Sequence, residues 1–213
     1  MLRLTIWGYK AIVAAVDQFE FAKNPDKGEI DSNPYSLAVA PNRTVVADAG
    51  ANSLLSVAPN GKVTLLAVFR DRTFGGKPVD PVPTSVALGP DGAFYVGELG
   101  GDGTPIGKSR IWRVVPGKKP TVYATGFTMI VGLDVAPDGS IYVVELLKRG
   151  FAQLEEGDFT GSLIRLAPNG TRQELAKGKI IAPGGVALGP EGEVYVTTNS
   201  VFPGQGQVLR IAG

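Results

Sequence analysis

A chain of 213 residues, 44% hydrophobic and 19% charged, can bury one sizeable core, and 29 glycines with 16 prolines favour many short strands joined by turns. The formal charge of +1, with both signs interspersed, argues against nucleic acid or an acidic membrane as the main partner, and no apolar run approaches the roughly 20 residues that span a bilayer. With no His and no Cys there is no imidazole, thiolate or disulfide, which excludes Ser-His-Asp hydrolysis, the usual catalytic zinc sites and any His-dependent lyase.

The opening, MLRLTIWGYKAIVAAV, has the outline of a secretion signal, but its apolar core AIVAAV is only six residues. A signal h-region needs about 7–15. Residues 16–24, VDQFEFAKN, predict a short helix. In GEIDSNPYS (28–36), Glu29, Asp31, Ser32 and Asn33 could offer oxygen ligands to Ca²⁺ or Mg²⁺, although the spacing is not that of an EF-hand loop. The preferred reading of the same residues is Asx-turn chemistry before a strand, with Pro34 holding Asn33 extended.

A repeat begins there. LAVAPNRTVVAD (37–48), SVALGPDGAFYVGE (85–98), LDVAPDGSIYVVE (133–145) and GVALGPEGEVYVTT (185–198) share one pattern: V-A, a proline turn, then an alternating strand. The turn prolines fall at 41, 90, 137 and 190, so the steps are 49, 47 and 53 residues. The first three copies continue into a second hairpin: SLLSVAPNGKVTLLAVF (53–69), RIWRVVPGKKPTVYATGF (110–127) and SLIRLAPNGTRQELAKG (162–178). Asn-Gly and Asp-Gly supply the positive-φ positions that tight hairpins need, and the period-two alternation is that of half-buried antiparallel strands. Four strands in about 50 residues make one blade of a β-propeller. The expected fold is therefore all-β, a single propeller domain over 1–213 with about four blade-equivalents. Residues 1–18 form a half blade, 33–69, 84–127 and 130–178 whole blades, and 183–213 a three-stranded blade.

The start now falls into place. Strand three reads LLSV, IWRV, LIRL and VLRI, and MLRL matches it, with Arg3 where Arg113, Arg165 and Arg210 recur and Ser56 as the exception. KAIVAAV matches the fourth strand. An incomplete six-bladed ring is expected ahead of a closed four-bladed one, in which KAIVAAV would pair onto VLRI. An open arc would expose blade faces and edges, and with them a route to self-association.

The stretches 19–57, 82–101 (VPTSVALGPDGAFYVGELGG) and 183–200 (PGGVALGPEGEVYVTTNS) together resemble the ScyD/ScyE family, with NPDKGEIDSNPY (24–35) the most specific block. These are bacterial six-bladed, NHL-like propellers. The resemblance implies an extracytoplasmic setting, although no signal peptide is read in this chain, and it implies no catalytic residues. In that family the NPDKGEIDSNPY block follows about two further blades, so a C-terminal portion of a longer protein is expected.

Asp48, Glu98 and Glu145 end strand two in three copies, with Thr198 in the fourth. They could line a metal or substrate site, or pair with the recurrent arginines as repeat-wise structural ties. GGDGTPIGKS (100–109) invites comparison with a phosphate loop, but Asp102 stands where the motif needs Gly and no helix is expected to follow. The long connections between strands two and three, 99–109, 146–161 and 199–207, should crowd on one face. Their candidate ligand-binding residues are Glu98, Asp102, Lys108, Glu145, Phe151, Phe159, Asn199 and Phe202. The segment RDRTFGGKPVDPVPT (70–84) reads as a stiff connector between blades.

The leading expectation is a module that binds a small molecule or a protein through this loop face. Two other readings stand beside it: a calcium-dependent hydrolase or lactonase of the gluconolactonase-like propeller type, and a truncated fragment without independent activity. The lactonase reading needs convergent carboxylate and Asn ligands at the axis, whereas strand one enters through Asn33, Pro83-Thr84, Ile130 and Pro183-Gly184. No cofactor is expected beyond a Ca²⁺ at Glu29, Asp31 and Asn33.

Overall fold

The structure, a computed structural model, describes residues 1–4 and 10–211. Strand β1 (Leu2–Leu4) pairs with β2 (Lys10–Ile12), and helix α1 (Asp17–Lys23) follows where a short helix was expected. Residues 5–9, between β1 and β2 in the sequence, lie outside the described residues, as do Ala212 and Gly213.

Four antiparallel sheets then succeed one another. The first blade is β3 (Pro34–Ala40), β4 (Arg43–Asp48), β5 (Ser53–Val57) and β6 (Val63–Val68). A small hairpin, β7 (Arg72–Phe74) with β8 (Lys77–Val79), leads to the second blade: β9 (Pro83–Leu88), β10 (Phe94–Glu98), β11 (Ser109–Val114) and β12 (Thr121–Phe127). The third is β13 (Ile130–Val135), β14 (Ile141–Glu145), β15 (Ser162–Leu166) and β16 (Arg172–Leu175). The fourth has three strands, β17 (Gly185–Leu188), β18 (Val194–Thr198) and β19 (Gln207–Ile211).

The strands of each blade pair in sequence order, because short turns can join only antiparallel neighbours. The blades stack face to face in the arrangement of a β-propeller. Between the first two lie Val45, Ala47, Leu54, Phe69, Val86, Phe94 and Val96, all buried. Tyr95, Ile111, Phe127, Ile130, Leu133 and Val143 fill the next interface, and Val144, Leu163, Ile180, Val194 and Val196 the last. Phe69 and Phe127, at or just beyond the ends of their blades' fourth strands, are fully buried. Each such side chain contributes roughly 1.5–3 kcal/mol by leaving water.

The first strands of the blades, β3, β9, β13 and β17, are packed neighbour on neighbour. They are tied across blades as well: the Thr84 hydroxyl donates to the Ile130 carbonyl at 2.6 Å, and the Leu188 amide to the Asp134 carboxylate at 2.9 Å. Gly132 permits this approach, since a Cβ there would sit 2.9 Å from Gly185 Cα.

Among the described residues β2 pairs with β1 and β19 with β18, so KAIVAAV does not join VLRI to close a ring. Residues 13–16 instead lie on the open side of the first blade, where Ala14 and Val16 are buried against Val46, Leu55 and Val57. Leu37 and Val39 on that side stay exposed, as does Val208 on the fourth blade.

Candidate functional site

Every turn between strands one and two, or three and four, is short and lies at one end of the blades. The opposite end carries the 2–3 connections, a short one at 49–52 and long ones at 99–108, 146–161 and 199–206, together with the passages from one blade to the next. The connector 70–84 shares this face and is more than a linker. Its β7–β8 hairpin lies against the 99–108 loop, with Gly101 N–H donating to Asp80 O (2.9 Å) and Arg72 to Lys108 O (2.7 Å).

The carboxylates that end strand two lie beneath this face, not on it. Glu98 is fully buried and receives Arg110 (2.9 Å), Arg72 (3.2 Å) and the Trp112 indole N–H (2.5 Å). Glu145 is buried too, accepting from the Ser162 hydroxyl (2.5 Å) and the Thr128 amide (2.7 Å). Burial pushes the Glu145 carboxyl above the usual carboxylate range, while these two donors pull against that rise. Asp48 holds the Asn33 amide (2.6 Å) and the Ser32 hydroxyl (2.7 Å), and Thr198 takes the same place with Ile181. In three blades, then, the end of strand two latches the segment that enters strand one. Glu98 and Glu145 are thus engaged internally, as in the structural-tie reading of the repeat.

The recurrent arginines of strand three do something else. Arg113 pairs with Asp91 and Arg165 with Asp138, at 2.6 and 3.1 Å, while Arg210 approaches Glu193 at 4.0 Å. Each partner sits in or just after the strand 1–2 turn, at the far end of the blade from Glu98. Register explains this: Arg113, Arg165 and Arg210 stand opposite Tyr95, Tyr142 and Tyr195 near the turn end. In the first blade Ser56 stands opposite Val45, and arginine and tyrosine are lost together. Both sets of repeated residues are engaged within the protein.

The entries to strand one are strained alike. Val82, Met129 and Ala182 all have positive φ, at 49°, 49° and 40°, where a non-glycine residue is unfavourable. The carbonyls of all three are engaged: Leu99, Leu146 and Ser200 donate to them at 2.9 Å each.

The loops do gather. Phe159 and Phe202, from the third and fourth blades, meet edge to face at 4.9 Å. Ile106 of the second blade lies beside Gly150, close enough to touch a Cβ placed there. Between these points the 146–161 loop folds as a 3₁₀ helix, Phe151–Glu156, that sequence reading missed. Its ends are fixed by buried Gln153, whose side chain donates to Asp158 O (3.1 Å) and Thr160 O (2.9 Å). The Thr160 hydroxyl and amide, with Arg149, hold the Asp158 carboxyl down to about 2. On this framework Ile106 (62%), Val201 (54%), Phe151 (46%) and Leu154 (38%) remain exposed. Asp102 and Lys108 are exposed beside them, and Phe159, Asn199 and Phe202 are half-buried. Glu29, Asp31 and Asn33 lie apart, at the first blade, where Glu29 and Asn33 are exposed and the Asn33 amide is already held by Asp48.

The axial region is a cleft of about 360 Å³ lined by Ser36, Leu37, Val86, Leu133, Asp134 and Val186, among others. Its polar groups are engaged in structure: Ser36 accepts from Val86 N–H, and Asp134 from Leu188 and Val135 N–H.

No family model and no curated protein matches the chain. Solved structures do match in fold. A catalytically inactive variant of virginiamycin B lyase from Staphylococcus aureus, solved with quinupristin, aligns over 99% of this chain and 61% of its own, with TM-score 0.59 and 15% identity. A gluconolactonase from Xanthomonas campestris covers 73% of this chain and 52% of its own (TM-score 0.52, 18% identity). A chain of a nidogen/laminin complex covers 82% and 64% (TM-score 0.54, 17% identity). The fold is that of a β-propeller. The chain spans less than two thirds of each of these three neighbours, and identities this low speak for fold alone.

Proposed function

We propose that this chain is a ScyD/ScyE-like propeller that acts as a binding module, presenting its loop face to a protein or peptide partner. The observation that carries the reading is the Phe159–Phe202 contact, which fixes the loops of two blades together beside exposed Phe151, Leu154 and Val201. Apolar side chains held outward on a rigid scaffold mark interaction surfaces, whereas small-molecule sites are concave. Arg149, Glu156, Asp102 and Lys108 give this face both signs of charge, which suits a mixed peptide surface. That a propeller neighbour was solved within a two-protein complex supports a protein partner. The six-bladed, extracytoplasmic setting rests on the family resemblance.

The gluconolactonase neighbour favours a second reading, a lactonase working at the axis. Against it, Asp134 is the single carboxylate among the residues lining the axial cleft, and two backbone amides already occupy it. The neighbouring lyase was inactivated by replacing a histidine, and these 213 residues contain none.

Peptides selected from a random display library against the chain test the proposal. Binding is expected to fall at least tenfold in Phe151→Asp and Val201→Asp and to be unchanged in Val39→Asp on the open side of the first blade. The reverse pattern would overturn it.

A further inference from the structure

Helix α1 turns one carboxylate inward. Glu20 is completely buried, yet neither of its carboxylate oxygens has a hydrogen-bond partner among the described residues. An acidic group in that state carries a large desolvation cost unless something neutralises it. Its surroundings make matters worse. Burial first, then the carboxylates of Asp26, Asp48 and Asp31, push Glu20 above the usual carboxylate range, with Lys27 the one base opposing them.

One turn further, Asn24 ends the helix at φ 37°, its amide bonded to Glu20 O at 2.8 Å. The Asn24 side-chain nitrogen donates to Gly28 O (2.9 Å), while its Oδ1 is buried without a donor. Asn24 thus stands one turn beyond Glu20, at the C-terminal end of α1. Asp31 approaches from the following loop and lies over Gly50, where a Cβ would sit 2.7 Å from its Oδ2. That places it against the turn after Asp48, whose own oxygens hold Asn33, Ser32 and Ala51. Asp26 is steadied by Asn52 at 3.1 Å.

We propose that this acidic cluster between α1 and the first blade binds a divalent cation, Ca²⁺ by its chemistry, through Glu20, the Asn24 side-chain oxygen and Asp31, with Asp26 and Asp48 supplying further negative charge. Buried oxygens lacking donors, here on the Glu20 carboxylate and the Asn24 amide, are what a hard cation takes, and ligands carried on a loop suit the flexible coordination of Ca²⁺ better than the strict octahedron of Mg²⁺. Among the described residues no three acidic groups stand close enough to hold an ion between them. The 24–33 segment would have to close on the ion, so that binding and local ordering are one event. The ion would lock this connector to the loop end of the first blade, through the same Asn52 that also holds Asp80 (3.1 Å) of the next connector.

Calorimetric titration of the chelator-stripped 213-residue chain with CaCl₂ alone, paired with thermal melts, tests this. One site per chain is expected, with Kd on the order of 10⁻⁵–10⁻³ M and a rise in Tm of a few degrees at saturation. Asp31→Asn should weaken binding at least tenfold, and Glu20→Gln should abolish it while raising Tm in chelator. Asp31 is exposed, so its variant keeps the test sound if Glu20→Gln fails to fold. No heat and no shift at 5 mM CaCl₂ would make Glu20 a protonated buried acid and overturn the proposal. A shift of wild-type size in Asp31→Asn would place the ion elsewhere and overturn it equally.

Discussion

Arg113 meets Asp91 at 2.6 Å at the turn end of the second blade, while Glu98, at the loop end of the same sheet, takes Arg110 at 2.9 Å. The two pairs differ in what they do. Arg113 and Asp91 are each about a third exposed, so water screens them. Glu98 is dry and holds two arginines and an indole together. Asp91→Ala is therefore expected to change the urea midpoint only slightly. Glu98→Ala strands Arg110, Arg72 and Trp112 and should cost about 3–5 kcal/mol, the scale for breaking a buried pair. Equal effects of the two substitutions would contradict this assignment.

The strained entries to strand one give a second expectation. Ala182 is buried at φ 40°, and Ala47 is buried in an ordinary strand. Ala47→Gly should cost about 1 kcal/mol, from backbone entropy and a lost methyl contact. At Ala182 relief of the left-handed backbone offsets those losses, so Ala182→Gly should be near neutral. Chemical denaturation of both variants compares them directly.

Glu145 sets a pH dependence. Its carboxyl lies above the usual range in the folded chain because it is buried. A raised folded pKa means that its stabilising contribution is complete below the unfolded value of about 4.3 and is lost as pH rises through the raised folded value. Glu145→Gln keeps an acceptor for the Thr128 amide or the Ser162 hydroxyl without the charge. The difference in urea midpoint between variant and wild type should therefore shift in the variant's favour as pH rises from 4 to 8. A difference independent of pH would contradict the shifted carboxyl.

The blades were legible because their cause is local: turn prolines, Asn-Gly and Asp-Gly steps and period-two alternation recur in each copy. The Arg113–Asp91 tie was also within reach of sequence, since counting back from the turn sets Arg113 opposite Tyr95 rather than Glu98. The β7–β8 hairpin was read only as a stiff connector, because its Pro-rich, Gly-rich sequence hides two three-residue strands. Glu20 was invisible as a buried group. DQFEFAK gives it a solvent-type residue on a short helix, and its burial is a tertiary effect with no local signature. The loop face was legible as a cluster by topology. Which of its residues stay exposed depends on the 3₁₀ turn and on Phe159 meeting Phe202, neither of which has a local signature.

The claim that the loop face is the binding surface is tested most directly by hydrogen exchange of the chain with and without a peptide selected against it. The account predicts that protection gained on binding concentrates in 99–108, 146–161 and 199–206. Protection confined to β3, to the free edge of β19 or to the axial strands would contradict it.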